Sequence, residues 1–303
     1  MRVVSLLPSA TELLCAIGGG PLLVGRSHEC DFPAGIAHLP VLTGAKTHAT
    51  SSAAIDAQVR DALASGAGSS LYTLDEQLLA HLRPDVILTQ DLCEVCSIDL
   101  RTVQRIAGKL KPAPTIVSLN PVSLEDVFDD ALRIGQAVGL ERPAQRAMVQ
   151  WRDRYWSARD YVNPYIEGPE VGFLEWMDPL FVGGHWTPQL IIDAGGRHSL
   201  NPPKAKSRQI SPEELVEAMP ERLIVCPCGM GLDAIRSELG TLTAQRWWRT
   251  LPAVMNEQVV LVDGNQMFNR PGPRLVDAFC WLTGWLNDRA ELVPQNFPAT
   301  PLA

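Results

Sequence analysis

The chain has 303 residues, 46% of them hydrophobic and 20% charged, with a formal net charge of −8. That length carries two lobes or one large α/β domain with a well-buried core, and the acidic balance argues against nucleic acid or an anionic membrane as partner. A small-molecule ligand is the expected partner, and no membrane insertion is expected because no apolar run reaches the roughly 18 residues of a span.

The amino terminus, MRVVSLLPSATELLCAIGGG, is apolar but is broken by Pro8, Ser9 and Glu12. It has no basic cluster beyond Arg2 and no small-x-small cleavage site, so it does not read as a signal peptide. It predicts a buried strand, RVVSLL, followed by a helix with the capping box Ser9-x-x-Glu12. A cytoplasmic setting is the resulting expectation, and there the seven cysteines are thiols or metal ligands rather than disulfides.

Short runs rich in Val, Ile and Leu recur at 3–7, 21–25, 85–90, 115–119, 170–176, 223–228 and 258–263, bounded by Pro, Gly or Asp. Helical patterns lie between them, which predicts mostly parallel sheets covered by helices on both faces. Two runs, 85–90 and 223–228, end in polar or sulfur residues. In open α/β sheets that end is where ligands sit.

The middle of the chain reads as helix. Residues 123–139 start at Ser123-x-x-Asp126 and stop at Gly139, and Pro143 lies in the first turn of a second helix. Along that second helix Ala144, Ala147, Met148, Trp151, Tyr155, Ala158 and Val162 form one apolar stripe. At about 20 residues it would span roughly 30 Å, the diameter of one lobe. The expected division is therefore an α/β lobe over 1–120, a linking segment with the long helix over 121–164, and a second α/β lobe over 165–303. The Pro-rich tail after Leu292 reads as an extended closing segment.

The segments RVVSLLPSATELLCAIG, VGRSHECDFP, LRPDVILTQ, FLEWMDPLF and MFNRPGPRL, taken in order, resemble the iron-chelate and vitamin B12 receptors of the helical-backbone metal receptor type, the cobalamin-binding branch above all. The resemblance covers nearly the whole chain. It implies two α/β lobes joined by one long backbone helix, with ligand in a cleft between them. It places Glu29, Phe32, Gln90, Trp176, Phe181, Met267 and Phe268 at the ligand, which would be cobalamin or another corrinoid, or a related metal chelate. At the positions of Glu29 and Gln90 the B12 receptor carries aromatics, so a small polar metabolite is an alternative ligand. Family members also offer a glutamate from each lobe to a membrane permease; Glu213 matches one, whereas the other falls on Gln77, beside Glu76. The expected role is a cytoplasmic carrier, sensor or sequestering protein.

Other residues carry chemistry of their own. Cys93-x-x-Cys96 has the spacing of a zinc knuckle or a redox pair, Cys226-Pro227-Cys228 ends a strand in the other lobe, and Cys30 follows the second strand. Together they are candidate ligands for zinc, copper or an iron–sulfur cluster, with an enzymatic or redox role as the alternative function. Buried unligated thiols are the competing reading, since cysteine packs as a small hydrophobe. His185 is a candidate ligand contact or a solvated loop residue, and Trp186 either stacks on ligand or packs in the core. Arg270 is a candidate grip on a carboxylate or phosphate, while Arg274 braces the last helix. Of Trp247 and Trp248 one would roof the ligand and the other pack. No Ser-His-Asp order, phosphate-binding glycine loop or His-Glu-x-x-His helix is present, so nothing forces an enzyme.

Overall fold

The computed structural model describes residues 1–46, 51–64, 72–91 and 98–302. The chain divides into two compact units. One takes Met1–Thr50, Ala54–Pro121 and Glu125–Gln150; the other takes Ser51–Ala53, Val122–Leu124 and Trp151–Ala303.

The elements of the amino-terminal stretch are β1 (Val3–Ser5), α1 (Pro8–Ala16), β2 (Leu23–Arg26), β3 (Thr43–Ala45), α2 (Ser52–Ala64), β4 (Tyr72–Leu74), α3 (Glu76–Leu82), β5 (Val86–Gln90), α4 (Leu100–Ala107) and β6 (Thr115–Leu119). Two helices follow, α5 (Leu124–Val138) and α6 (Glu141–Arg159). The first unit is built on a four-stranded sheet in the order β2-β1-β5-β6, with every pair parallel. Every residue of β1 and β5 is buried, as a strand covered on both faces must be. Val4 and Ile87 pack with Leu79 and Leu82 of α3 and with Val103 and Ile106 of α4. The neighbouring residues Val3, Val86 and Leu88 alternate to the opposite face and are also buried. A separate antiparallel pair, β3 with β4, joins Thr43 to Leu74.

Helix α1 starts two residues earlier than its capping box predicts. Pro8 occupies the first turn, Leu7 is the N-cap without a side-chain bond, and Ser9 and Glu12 lie buried inside the helix. A proline suits that position because its missing N–H would be unpaired there anyway, and this moves the helix start upstream of Ser9. The predicted stop of α5 holds, with Gly139 in the left-handed region at φ +71°. Helix α6 has 19 residues, about 28 Å by its rise, and ends at Arg159 short of Val162. Its stripe is as read: Ala144, Ala147, Trp151, Tyr155 and Ala158 are all buried.

Asp130 lies on α5 with almost no exposure, its carboxylate 3.2 Å from Arg133. Burial, opposed by Arg133 and reinforced by Asp126 and Asp129, raises its pKa from 3.8 to about 7. The folded chain therefore holds this proton more tightly than the unfolded chain, and stability falls as pH rises from about 4 through 7. We expect a loss of about 2 kcal/mol across that window, less than the full shift implies because Arg133 is solvated. Chemical denaturation of Asp130→Asn at a series of pH values is expected to show that slope flattened.

The second unit contains β7 (Val171–Met177), β8 (Leu180–Val182), α7 (Thr187–Asp193), β9 (Arg208–Gln209), α8 (Pro212–Glu217), β10 (Arg222–Val225), α9 (Leu232–Glu238), α10 (Gly240–Thr243), α11 (Pro252–Met255), β11 (Val259–Val262), α12 (Leu275–Leu286) and β12 (Ala299–Pro301). Its six-stranded sheet runs β12-β11-β10-β7-β8-β9. The central strands β11, β10 and β7 are parallel, and the outer pairings with β12, β8 and β9 are antiparallel. The Pro-rich tail thus closes the sheet as an edge strand. One face buries Leu223, Val225, Val259 and Leu261 against Leu215, Ile235, Leu242 and Trp248. Elsewhere in this unit Phe268 stands edge-on between Phe173 at 5.2 Å and Trp281 at 6.0 Å, and Trp281 stacks on Phe297 at 4.8 Å. Trp281 comes from α12, which is apolar almost all round and accordingly almost wholly buried.

Candidate functional site

In the first unit the candidate residues sit at the carboxyl ends of parallel strands. Strand β2 ends at Arg26, whose guanidinium donates to the carbonyls of Ser27 (3.2 Å), Cys30 (2.9 Å) and Ala37 (3.1 Å) and so fixes the loop that follows. On that loop His28 Nδ1 lies 2.7 Å from Thr43 Oγ1, and the Thr43 hydroxyl donates to Ser27 Oγ at 2.9 Å. The other nitrogen, Nε2, faces Glu29 Oε1 at 3.2 Å, and the ring packs on Tyr72 at 5.1 Å. Phe32, farther along, is 45% exposed. Cys30 is buried with its sulfur 3.0 Å from Thr11 Oγ1. Gln90 closes β5 and is buried. Cys93 and Cys96 lie outside the described residues.

In the second unit the turn between β7 and β8 pairs Trp176 with Phe181, both half-buried, at the carboxyl end of β7. Beside them the Ser207 hydroxyl donates a shared bond to the Glu175 carboxylate, 3.0 Å from Oε1 and 2.8 Å from Oε2. His185 adopts a left-handed φ of +54°, held by Ala205 O and Lys204 N, and its ring stacks on Trp186 at 5.5 Å. Burial, helped by Lys206, lowers its pKa, so the ring is neutral at pH 7. Met267 is half-buried at φ +48° in the turn after β11.

Several expected contacts are corrected to structural roles. Phe268 has no exposure and Trp186 is buried, its indole N–H donating to Phe268 O at 2.7 Å; aromatic packing takes both. Arg270 is buried too, and one of its nitrogens donates to Asn265 Oδ1 at 3.1 Å inside its own loop. Arg274 braces as expected, donating to Gln266 Oε1 at 2.7 Å just before α12. Trp248 is core, and Trp247 packs half-buried against it. Cys226 is fully buried, and its thiol is pushed well above the ordinary range by burial first and then by Cys228, Glu175 and Asp263. Cys228 is exposed, and among the described residues no three His, Cys, Asp or Glu side chains gather as a metal site. Cys30 and Cys226 are packed in the interior of their units, while Cys93 and Cys96, the rest of the expected metal-ligand set, lie outside the described residues.

Thr43, Tyr72 and Ser207 enter these edges without any signal in their own segments. Each reaches its partner through the fold, Thr43 sixteen residues from Ser27 and Ser207 thirty-two from Glu175. Of the two positions that the resemblance offers to a permease, Glu213 is exposed in the first turn of α8, and Gln77 is exposed in the first turn of α3. Glu76 does not replace it, being paired with Arg105 at 3.0 Å and Lys109 at 3.5 Å.

A family model described as periplasmic binding protein matches residues 3–265. The chain belongs to the periplasmic binding protein family. The periplasmic vitamin B12 binding protein of Vibrio cholerae superposes with a TM-score of 0.68 at 20% identity, over 95% of this chain and 97% of that one. A periplasmic heme binding protein from Pseudomonas aeruginosa gives 0.71 at 19% identity, over 100% and 95%. The heme-binding protein of Roseiflexus sp. RS-1 in its apo form gives 0.70 at 21%, over 95% and 98%. At such identities the likeness is one of fold. No curated protein matches the chain. Family and neighbours alike are periplasmic, and this overturns the cytoplasmic setting expected from the amino terminus. In this periplasmic binding protein no helix among the described residues is long and apolar enough to cross a membrane.

Proposed function

We propose that the protein captures a metal chelate with a broad apolar ring, of corrinoid or heme type. The observation that carries this reading is the Trp176–Phe181 pair at the end of β7, two half-buried aromatics whose remaining faces suit stacking on a flat ligand. Met267 in the same unit adds an adaptable apolar contact. The carboxyl edge of the first unit carries candidate groups of its own, exposed Phe32 and half-buried Glu29. Relatives named for vitamin B12 and heme support this ligand class.

Titration of the purified protein with cyanocobalamin, dicyanocobinamide and heme, read by tryptophan fluorescence and visible absorbance, tests it. Saturable one-to-one binding of at least one chelate is expected, and no binding of any of the three would end the proposal. Trp176→Ala is expected to weaken that binding about 30-fold, as loss of a central aromatic anchor does, and also to lower the unfolding temperature, because Trp176 packs on the core of its unit and its indole N–H donates to Ser52 O at 3.2 Å.

A further inference from the structure

We infer that the protein pairs with a second copy of itself through one patch of its second unit, away from the candidate ligand residues. The patch is made by the end of α6, the loop after it and the end of α7. It contains both a projection and a hollow. Tyr165 and Ile166 project from the loop with 94% and 67% of their surface exposed. The hollow is a cavity of about 540 Å³ whose apolar lining includes Trp156, Val162, Ile166 and Ile192.

Of the charged groups around the hollow, Arg159, Asp193, Arg197 and Glu167 are already paired. Tyr155 donates to Asp193 Oδ2 at 2.6 Å, and Arg159 pairs with Asp193 at 3.3 Å while lying 5.0 Å over the Trp156 ring. Arg197 reaches Glu167 at 3.3 Å and Gly168 O at 2.9 Å. A small charged ligand would have to displace these pairs. What lacks a partner is apolar: a hollow suited to an apolar side chain, and beside it a tyrosine that does not line the hollow of its own chain.

A two-fold interface requires that one patch carry both halves of the contact, so that residue i of one copy meets residue j of the other and the reverse. Tyr165 as projection and the Trp156–Ile192 hollow as receptor meet that condition. The rim carries both signs, Arg159 and Arg197 with Asp160 and Glu167, so two copies do not repel. Covering Trp156, Tyr161, Tyr165, Ile166 and Ile192 on both copies removes on the order of 1,200 Å² from water, the lower end for a stable interface. On one copy that is about 600 Å², the upper end of the largest apolar patch a monomer ordinarily shows, and patches of that size are often functional.

Sedimentation velocity of the full chain over a micromolar concentration series is the test. The expected result is a shift from monomer to dimer with concentration. Tyr165→Ser, which removes the projection, and Ile192→Arg, which fills the hollow, should each raise the dissociation constant at least about tenfold with unchanged circular dichroism. Mixed together, the two variants retain one projection and one compatible hollow, so a mixed dimer should form where neither variant pairs alone. A monomer at every concentration, or a dimer indifferent to both substitutions, would overturn the inference. So would a monomer that instead sediments with phosphatidylethanolamine–phosphatidylglycerol vesicles in a Tyr165-dependent way.

Discussion

Phe268→Ala is expected to destabilise the second unit by about 4 kcal/mol, the range for an aromatic removed from a closed core. Phe268 has no exposure, is flanked by Phe173 and Trp281, and its carbonyl accepts the Trp186 indole N–H at 2.7 Å. Truncation leaves a void among rings that cannot collapse independently, because Trp281 is also stacked on Trp285 and Phe297. Urea denaturation followed by tryptophan fluorescence measures it. Phe32→Ala is the informative contrast: at 45% exposure it should leave the midpoint almost unmoved and act on chelate affinity instead. A Phe268→Ala protein as stable as the parent but unable to bind chelate would return Phe268 to the ligand.

The second large effect is expected at Gly264, in the turn after β11. A Cβ there would stand 1.7 Å from Pro227 O and 2.6 Å from Pro227 C, both backbone atoms that cannot step aside alone. The turn is tied to the Cys-Pro-Cys segment from both directions, Gly229 N donating to Gly264 O at 2.9 Å and Gly264 N to Met230 O at 2.8 Å. Asn269 Nδ2 also donates to Gly264 O, at 3.0 Å. Gly264→Ala must push the two turns apart and give up those bonds, a cost of about 3 kcal/mol or more. Gly240→Ala is the control. Nothing lies within 4 Å of a Cβ at that helical position, so a change within about 1 kcal/mol in the stabilising direction is expected. The same urea midpoint reads both.

Most of the sheet framework was legible because β1, β5, β7, β10 and β11 are largely buried apolar runs bounded by turn residues, and burial on both faces leaves that trace in composition. The α5–α6 pair was legible from its stripe and from Gly139. Strands β8 and β9 escaped, since strands of only three and two residues are set by their neighbours rather than by their own residues. The site was harder for a related reason. Trp186 and Phe268 stand beside glycines and loops, where an aromatic reads equally as a stacking surface or as core, and only the indole-to-carbonyl bond between segments 82 residues apart decides. Cys226 follows a strand end and looked outward-facing, but Asn269 and Asp263 close over it from the next turn. Compartment is not encoded in the packing of a folded unit at all, which is why the cytoplasmic expectation had no physical footing in the strand and helix that open the chain.

The three carbonyl contacts made by Arg26 bear on the thermodynamics of capture. A loop carrying Glu29 and Phe32 would ordinarily surrender backbone freedom when it closes on a ligand, at about 1–2 kcal/mol for each residue fixed. Here the guanidinium has gathered Ser27, Cys30 and Ala37 before any ligand arrives. That ordering cost belongs to folding, so under the proposed function the contacts of Glu29 and Phe32 would enter affinity without that deduction, and the half-buried guanidinium of Arg26 behind their loop would act on how tightly a chelate is held.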